Sequence, residues 1–394
     1  MFKIKVIGED ESTYYTHKLV KIKNKRFETP IKAVNLNYFY PNIPVAHNTF
    51  VEEIYKSFDN EILNNLSNDS KYGEYKEKFN HNLKRVLNNS SHENPLIFLP
   101  ALNTFKLSDD GLMYLVLTQR YSDFYVVPTL QRARSLITEQ GDAGVFNKYY
   151  IPLVKKYLKN AYEMNIEKTV MGSIPVTLPI SQIRKLLNIY LENDVTSFLI
   201  DLQGRVPFTV FQELTLIQEI LQKYSKNNDE DTFIHATNVN VGRMSKKRNE
   251  ILAYDALSFG LGIDSIGDNH LGGGGGRQEF RLRLFSKDEY AYCRVEEGSN
   301  FEDIYPNDSK VPMDYFINES RDYKKIKAQK MINYEQMGIE TRNIIKEIDS
   351  QTVAEYIKEK PMVMRDSNKV KLLFSAKSES NTQKNIEDFL KGLK

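Results

Sequence analysis

Five β-rich runs decide the fold: Phe124–Val127 (FYVV), Thr169–Ile174 (TVMGSI), Thr196–Ile200 (TSFLI), Thr232–Ala236 (TFIHA) and Leu257–Ile263 (LSFGLGI). Each is a short apolar run of strand length, and helical patterns lie between them. Ile180–Glu192 places Ile183, Leu187 and Tyr190 on one helical face, and Val210–Tyr224 does the same with Phe211, Leu214, Ile217 and Leu221. Strands that alternate with helices imply parallel βαβ units with right-handed crossovers. Both an open doubly wound sheet and a barrel satisfy that pattern. The units repeat without a GxGxxG phosphate turn, and polar residues gather after several strands rather than at one switch point. These two features favour a parallel (β/α)8 TIM-type barrel.

Working outward, Leu96-Ile97-Phe98-Leu99 reads as an earlier buried strand after the Asn94-Pro95 break. Residues 60–93, rich in Asn, Ser, Lys and Glu, read as surface helices and connections. Residues 1–35 alternate apolar and polar in short runs (Phe2–Val6, His17–Ile22), predicting an N-terminal antiparallel β layer packed on the barrel. After Gly276, RLRLF and EYAYCRV predict a hairpin, and Tyr323–Lys360 predicts a C-terminal helical tail. The expected organisation is a β layer over 1–35, a decorated barrel with its C-terminal helices over 36–365, and a polar tail over 366–394.

A chain of 394 residues with 41% hydrophobic residues can bury a large core as one unit. Its 54 basic and 52 acidic residues nearly cancel, so the overall field does not announce nucleic acid, although a local basic patch is compatible with it. Cys293 is the single cysteine, which excludes a disulfide framework and a Cys-rich zinc site. The N-terminal MFKIKVIGEDE lacks the pattern of a signal peptide, and no stretch approaches the roughly 18 apolar residues of a membrane span. The expectation is a cytoplasmic protein without membrane contact.

In a βα barrel, polar residues at consecutive strand ends become neighbours. That rule selects Asp201 and Gln203 after TSFLI, His235 and Asn238 in and after TFI, and Asp264, Asp268 and His270 after FGLGI. An acid directly after a buried strand must find a partner or shift its pKa, so Asp201 and Asp264 draw notice. Each of these acids has a bland alternative, as a helix cap or an arginine partner, and His235 has one as a hydrogen-bonded core residue. Imidazoles and carboxylates also suit a divalent metal. No HxH, HExxH or DxD spacing occurs within the set, so neither metal nor cofactor is expected. The run Gly272–Gly276 before Arg277 can bring its backbone close to a ligand, Gly273 and Gly274 cradling phosphates while Arg277, Arg281 and Lys246 add charge. It suits a linker equally well.

Four stretches resemble the tRNA-guanine transglycosylase superfamily, whose members exchange guanine for a 7-deazaguanine base on a decorated βα barrel. Leu19–Val34 (LVKIKNKRFETPIKAV) is similar to the family's opening hairpin, Thr-Pro and first barrel strand. Tyr121-Ser122-Asp123-Phe124 resembles its Gly-Ser-Asp strand start, Phe233–Asp268 its segment of strand, helix and closing Gly-Ile-Asp-x-Phe-Asp (here Gly262–Asp268), and Tyr323–Lys358 its C-terminal helices. The resemblance covers most of the chain at low identity, and the Gly-Ile-Asp segment is its most specific part. It implies a pentosyltransferase in which Asp268, or Asp264 because one extra residue intervenes, attacks the ribose C1′. The implied partners are nucleic acid, DNA or tRNA, and a 7-deazaguanine-type base held by Asp201, Gln203, His235, Asn238 and His270. Gly273, Gly274, Arg277, Arg281 and Lys246 would meet the nucleic-acid backbone. A homodimer or partner subunit is compatible with this.

The chain also departs from the family. Ala101–Lys106 (ALNTFK) stands where the family has Asp-Ser-Gly-Gly-Phe-Gln, Pro128-Thr129-Leu130 where it has Phe-Asp-Glu, and the zinc ligands are absent. Two alternatives follow: an inactive paralogue that binds nucleic acid or a partner subunit, and a barrel hydrolase with a metal at His235, Asp264 and His270.

Overall fold

The computed structural model describes residues 2–66, 68–104, 107–131, 143–164, 168–244, 248–271, 282–295, 305–313 and 322–377. Fifteen strands lie within them: β1 (Phe2–Glu9), β2 (Thr16–Ile22), β3 (Lys25–Thr29), β4 (Ile31–Asn35), β5 (Val51–Phe58), β6 (Leu96–Leu102), β7 (Phe124–Val126), β8 (Thr129–Leu130), β9 (Thr169–Pro175), β10 (Ser197–Asp201), β11 (Phe233–Thr237), β12 (Glu250–Leu252), β13 (Ser265–Ile266), β14 (Arg283–Ser286) and β15 (Ala291–Arg294). Nine form one curled parallel sheet in the order β7-β9-β10-β11-β13-β4-β5-β6-β8. Its two edge strands, β7 and β8, are separated in the chain only by Val127 and Pro128. The Asp123 amide, just before β7, donates to Leu96 O of β6 at 2.8 Å.

Period-two alternation sorts the strand residues into two cores. One face, with Val34, Ile54, Phe98, Val170, Phe198, Ile200 and Ile234, packs with the helices. The inner face, with Ile31, Ala33, Val51, Ile97, Leu99, Phe124, Val126, Met171, Leu199 and Phe233, packs with Val20, Ile22 and Phe27 of the antiparallel sheet β1-β2-β3. Phe27 meets Phe233 edge-on at 5.7 Å, and Phe2 meets Phe124 in the same way. Polar contacts fix the same docking. Lys18 Nζ reaches Thr232 O at 2.9 Å, Lys25 Nζ reaches Asn94 O at 2.7 Å, and Asp231 accepts from the Val6 amide at 2.9 Å. All three partners lie just before a strand of the large sheet, so the antiparallel layer covers the N-terminal ends of the parallel strands.

The layer ends at Thr29, a few residues before the expected boundary at 35. Ile31–Asn35 belongs to the large sheet, entered through a cis Thr29-Pro30 bond. The hairpin β14-β15 forms as expected and takes β12 as a third strand. The helix Asp322–Asp349 packs along β4 and β14. The polar tail expected from 366 begins later, because residues 367–377 are helical and bury Val370, Leu373 and Ala376.

The fifth run is where the structure departs most from the sequence reading. Leu257–Ile263 contributes no strand: it spans the end of the helix Tyr254–Leu257, a 3-10 turn over Ser258–Leu261, and Gly262 at φ +83°. All seven residues are buried in this turn, with Tyr15 and Leu373 packed over Gly260, without facing a sheet. The strand is Ser265–Ile266, so Asp264 stands at its start and Asp268 beyond its end. No described helix is long and apolar enough to cross a membrane.

Candidate functional site

The inner face of the large sheet is apolar toward the N-terminal layer and turns polar toward the C-terminal strand ends. Alternation that buries Val51 also points Glu53 inward from β5, and that which buries Leu199 and Phe233 points Asp201 inward from β10 and His235 from β11. Glu53, His235 and Asp201 are each buried, at 0%, 0% and 1% exposure, so each must find its partners inside the protein.

Those partners form one continuous network. Asp201 Oδ1 accepts from Asn238 Nδ2 at 2.8 Å and from the Gln203 amide at 3.0 Å, while Oδ2 accepts from Thr129 Oγ1 and Gln203 Nε2. Asn238 then accepts from the His270 amide at 3.0 Å. His270 Nε2 lies 2.9 Å from Glu53 Oε1, which also accepts from the Asp268 amide at 2.8 Å. Asp268 closes the chain: Oδ1 meets Lys32 Nζ at 3.3 Å, and Oδ2 meets Lys330 Nζ at 2.9 Å and Tyr334 OH at 2.6 Å. The left-handed φ of Gln203 (+51°) and Asn238 (+55°) turns both amides into this network, a conformation that costs a non-glycine residue energy.

The carboxylates differ in charge state for stated reasons. Burial works against ionisation of Asp268, but Lys330 and Lys32 outweigh it and hold the carboxyl at about 2. Burial also opposes the charge on Glu53. The adjacent imidazoles, His270 first and His235 beside it, overcome that cost and keep the carboxyl well below the usual range. Burial dominates at Asp201 and raises its pKa against four neutral donors.

The tautomer of His270 follows from its neighbours. Asn35 Oδ1 accepts from the Asn37 amide at 3.0 Å, which turns Asn35 Nδ2 toward His270 Nδ1 at 3.3 Å. Nδ1 therefore accepts, and Nε2–H donates to Glu53. The ring lies flat on Tyr55, with centroids 4.6 Å apart and planes within 3°. His235 Nδ1 is 3.1 Å from Ser265 Oγ, and its Nε2 faces Glu53 Oε2 at 3.3 Å. Neither of those last two atoms has a hydrogen-bond partner, nor do Ser173 Oγ and Thr237 Oγ1.

Of the residues chosen from sequence, the structure joins Asp201, Gln203, His235, Asn238, Asp268 and His270. It places Asp264 elsewhere. That carboxylate accepts from Lys18 Nζ at 2.8 Å, the Ile234 amide at 2.8 Å and Thr29 Oγ1 at 3.4 Å, tying the N-terminal layer to the strand starts. Gly262 serves the same end. Its left-handed turn presents its carbonyl to Gln218 Nε2 at 2.9 Å, and a Cβ there would overlap the Gln218 side chain. The metal set His235, Asp264 and His270 is therefore not assembled, and among the described residues no group of three or more His, Cys, Asp or Glu could hold an ion. Gly273, Gly274, Arg277, Arg281 and Lys246 lie outside the described residues.

Sequence reasoning missed Glu53, Tyr55, Lys32, Lys330 and Tyr334. The run Val51–Phe58 (VEEIYKSF) carries no period-two apolar signal, because its apolar residues Val51, Ile54, Tyr55 and Phe58 fall on both faces. Lys330 and Tyr334 are spaced i,i+4, which puts both on one helix face. No protein-family model matches this chain, and its sequence has no significant match among curated proteins.

Proposed function

We propose that the chain is a base-exchanging glycosyltransferase that replaces guanine with a 7-deazaguanine base in nucleic acid, built on a sheet that closes as a (β/α)8 barrel. For the closure, Phe124–Leu130 acts as one strand interrupted at Val127-Pro128. Its first half pairs with β9 and its second with β6, giving eight parallel strands in sequential order.

The reading is carried by one observation: a buried, ionised carboxylate at the strand ends is continuous, through Asn238, with an amide and carboxylate cluster. Glycosyl transfer passes through an oxocarbenium-like state, which a fixed anion stabilises. A base edge of donors and acceptors needs matching amide and carboxylate groups, and Asp201, Gln203 and Asn238 carry both kinds. His235 and His270 supply imidazoles, side chains that can donate and accept protons. The similarity of Gly262–Asp268 to the transglycosylase segment agrees with this chemistry. The test is exchange of labelled guanine into or out of a DNA oligonucleotide and a tRNA transcript. Exchange is expected with one of them, and Asp268→Asn is expected to abolish it without changing the circular dichroism spectrum. No exchange on either polymer overturns the reading.

A second reading, a non-catalytic nucleic-acid-binding protein, is favoured by the engagement of both Asp268 oxygens by Lys32, Lys330 and Tyr334. It predicts salt-dependent binding that survives Asp268→Asn, with no exchange.

A further inference from the structure

We propose that Glu53, rather than Asp268, is the carboxylate that reacts, with Oε2 as the attacking atom and His235 as the proton carrier; this rests on the glycosyl-transfer reading above.

A carboxylate attacks or binds a ligand most readily through an oxygen that no donor already engages. Asp268 has one donor on Oδ1 and two on Oδ2. Asp201 has two on each oxygen. Glu53 is asymmetric: Oε1 is held by the Asp268 amide and His270 Nε2, whereas Oε2 has no hydrogen-bond partner. One oxygen anchors the group and the other is left available, the arrangement a pre-organised nucleophile requires.

The surroundings keep that oxygen in place. Residue 267 has no side chain, and a Cβ there would overlap the Glu53 carboxylate, so the acid occupies the space a side chain at the end of β13 would fill. His235 Nε2 lies 3.3 Å from Oε2 and is equally unpartnered. Ser173 and Thr237 place unpartnered hydroxyls on the same inner face, one on β9 and one on β11. Glu53 and His235 are fully buried, with His270 stacked on Tyr55 and bonded to Oε1 beside them. Substrate entry would require His270 to turn off Tyr55, leaving the Asp268 amide to anchor Oε1 and Tyr55 as a flat face for the base.

The step balances. Oε2 forms a bond to the anomeric carbon as the carbon–nitrogen bond breaks, and that electron pair leaves with the base. A doubly protonated His235 gives its Nε2 proton to the departing base and keeps Nδ1–H toward Ser265. The incoming base, also a purine-type heterocycle, attacks the same carbon through nitrogen, returns a proton to His235 and expels the Glu53 carboxylate.

The test maps the covalent intermediate. Full-length protein is incubated with a guanine-containing DNA oligonucleotide and, separately, with a tRNA transcript, then quenched by denaturation, digested and sequenced by mass spectrometry. Attachment at Glu53 is expected, as is loss of the adduct in Glu53→Gln and a roughly 10²–10⁴-fold slower exchange in His235→Asn with a flattened pH profile. Attachment at Asp268 overturns this assignment and leaves glycosyl transfer standing. Absence of both adduct and exchange in the unaltered protein overturns the glycosyl reading and the assignment with it. Should Glu53→Gln fail to fold, the mapped peptide of the unaltered protein decides.

Discussion

Gly267→Ala is the sharpest probe of the packing around Glu53. Gly267 is absent from the left-handed glycines, which are Gly204, Gly242 and Gly262 among the described residues, so its backbone tolerates alanine. On chain entropy alone the substitution should stabilise by about 0.4–1 kcal/mol. The structure predicts the opposite sign. The new methyl would overlap Glu53 Oε2, and that side chain can yield only by giving up its bonds from the Asp268 amide and His270 Nε2. Each is a hydrogen bond to a charged group worth roughly 1.5–3 kcal/mol. Setting the entropic gain against them leaves a net loss of about 2–6 kcal/mol, which brackets the cost of disrupting a buried pair. Urea unfolding followed by circular dichroism measures it. Gly73→Ala is the control: its Cβ meets nothing, it sits in the helix Asp69–Leu87, and it should gain about 1 kcal/mol. The double-mutant cycle with Glu53→Ala isolates the contact, since Gly267→Ala should cost little once the acid is gone. An unchanged or raised midpoint for Gly267→Ala alone would refute the argument.

Lys18→Met should cost about 3–5 kcal/mol, because it strands Asp264 as a buried unpaired acid, and Lys18→Met with Asp264→Leu should recover most of it; a single variant that unfolds like the parent contradicts the pairing. Glu340, buried and pushed up to about 7 by desolvation against the pull of Lys360, gives a pH signature. Its unfolded carboxyl ionises first as pH rises, so stability falls between about pH 4.5 and 7 and is flat above. Glu340→Gln should therefore raise the midpoint at pH 8 by up to about 3 kcal/mol and change little at pH 4. Equal shifts at both pH values would show that Glu340 titrates normally.

The sequence made the strands legible where burial follows a short period and both faces are apolar. β7, β9, β10 and β11 are the plainest cases, with the helices over Ile180–Leu191 and Phe211–Asn228 between them. Leu257–Ile263 misled because a short run of buried residues also arises when a turn is packed under Tyr15 and Leu373. Periodicity cannot tell that environment from a sheet. The shift moved Asp264 from one end of the strand to the other. Asp201, His235, Asn238 and His270 could be collected from strand ends alone, because each follows or ends a run whose direction is fixed by parallel pairing. Glu53 could not, because two adjacent acids in Val51–Phe58 read as surface until the partners of each are known. Glu52 turns outward to Ser90 and Ser91, and Glu53 inward to two histidines. Lys330 and Tyr334 come from a helix about 60 residues beyond Asp268 in the chain, and only tertiary packing sets them against it.

The antiparallel layer over the strand starts has a kinetic consequence. With Phe27 seated on Phe233 and Phe2 on Phe124, that end is stoppered by hydrocarbon, and the polar residues of the inner face lie toward the other. Under the proposed base exchange, the departing heterocycle and its replacement would share the strand-end side, and the first would leave before the second enters. Such turn-taking makes double-reciprocal plots for the two substrates run parallel, and each heterocycle in excess competes for the other's turn.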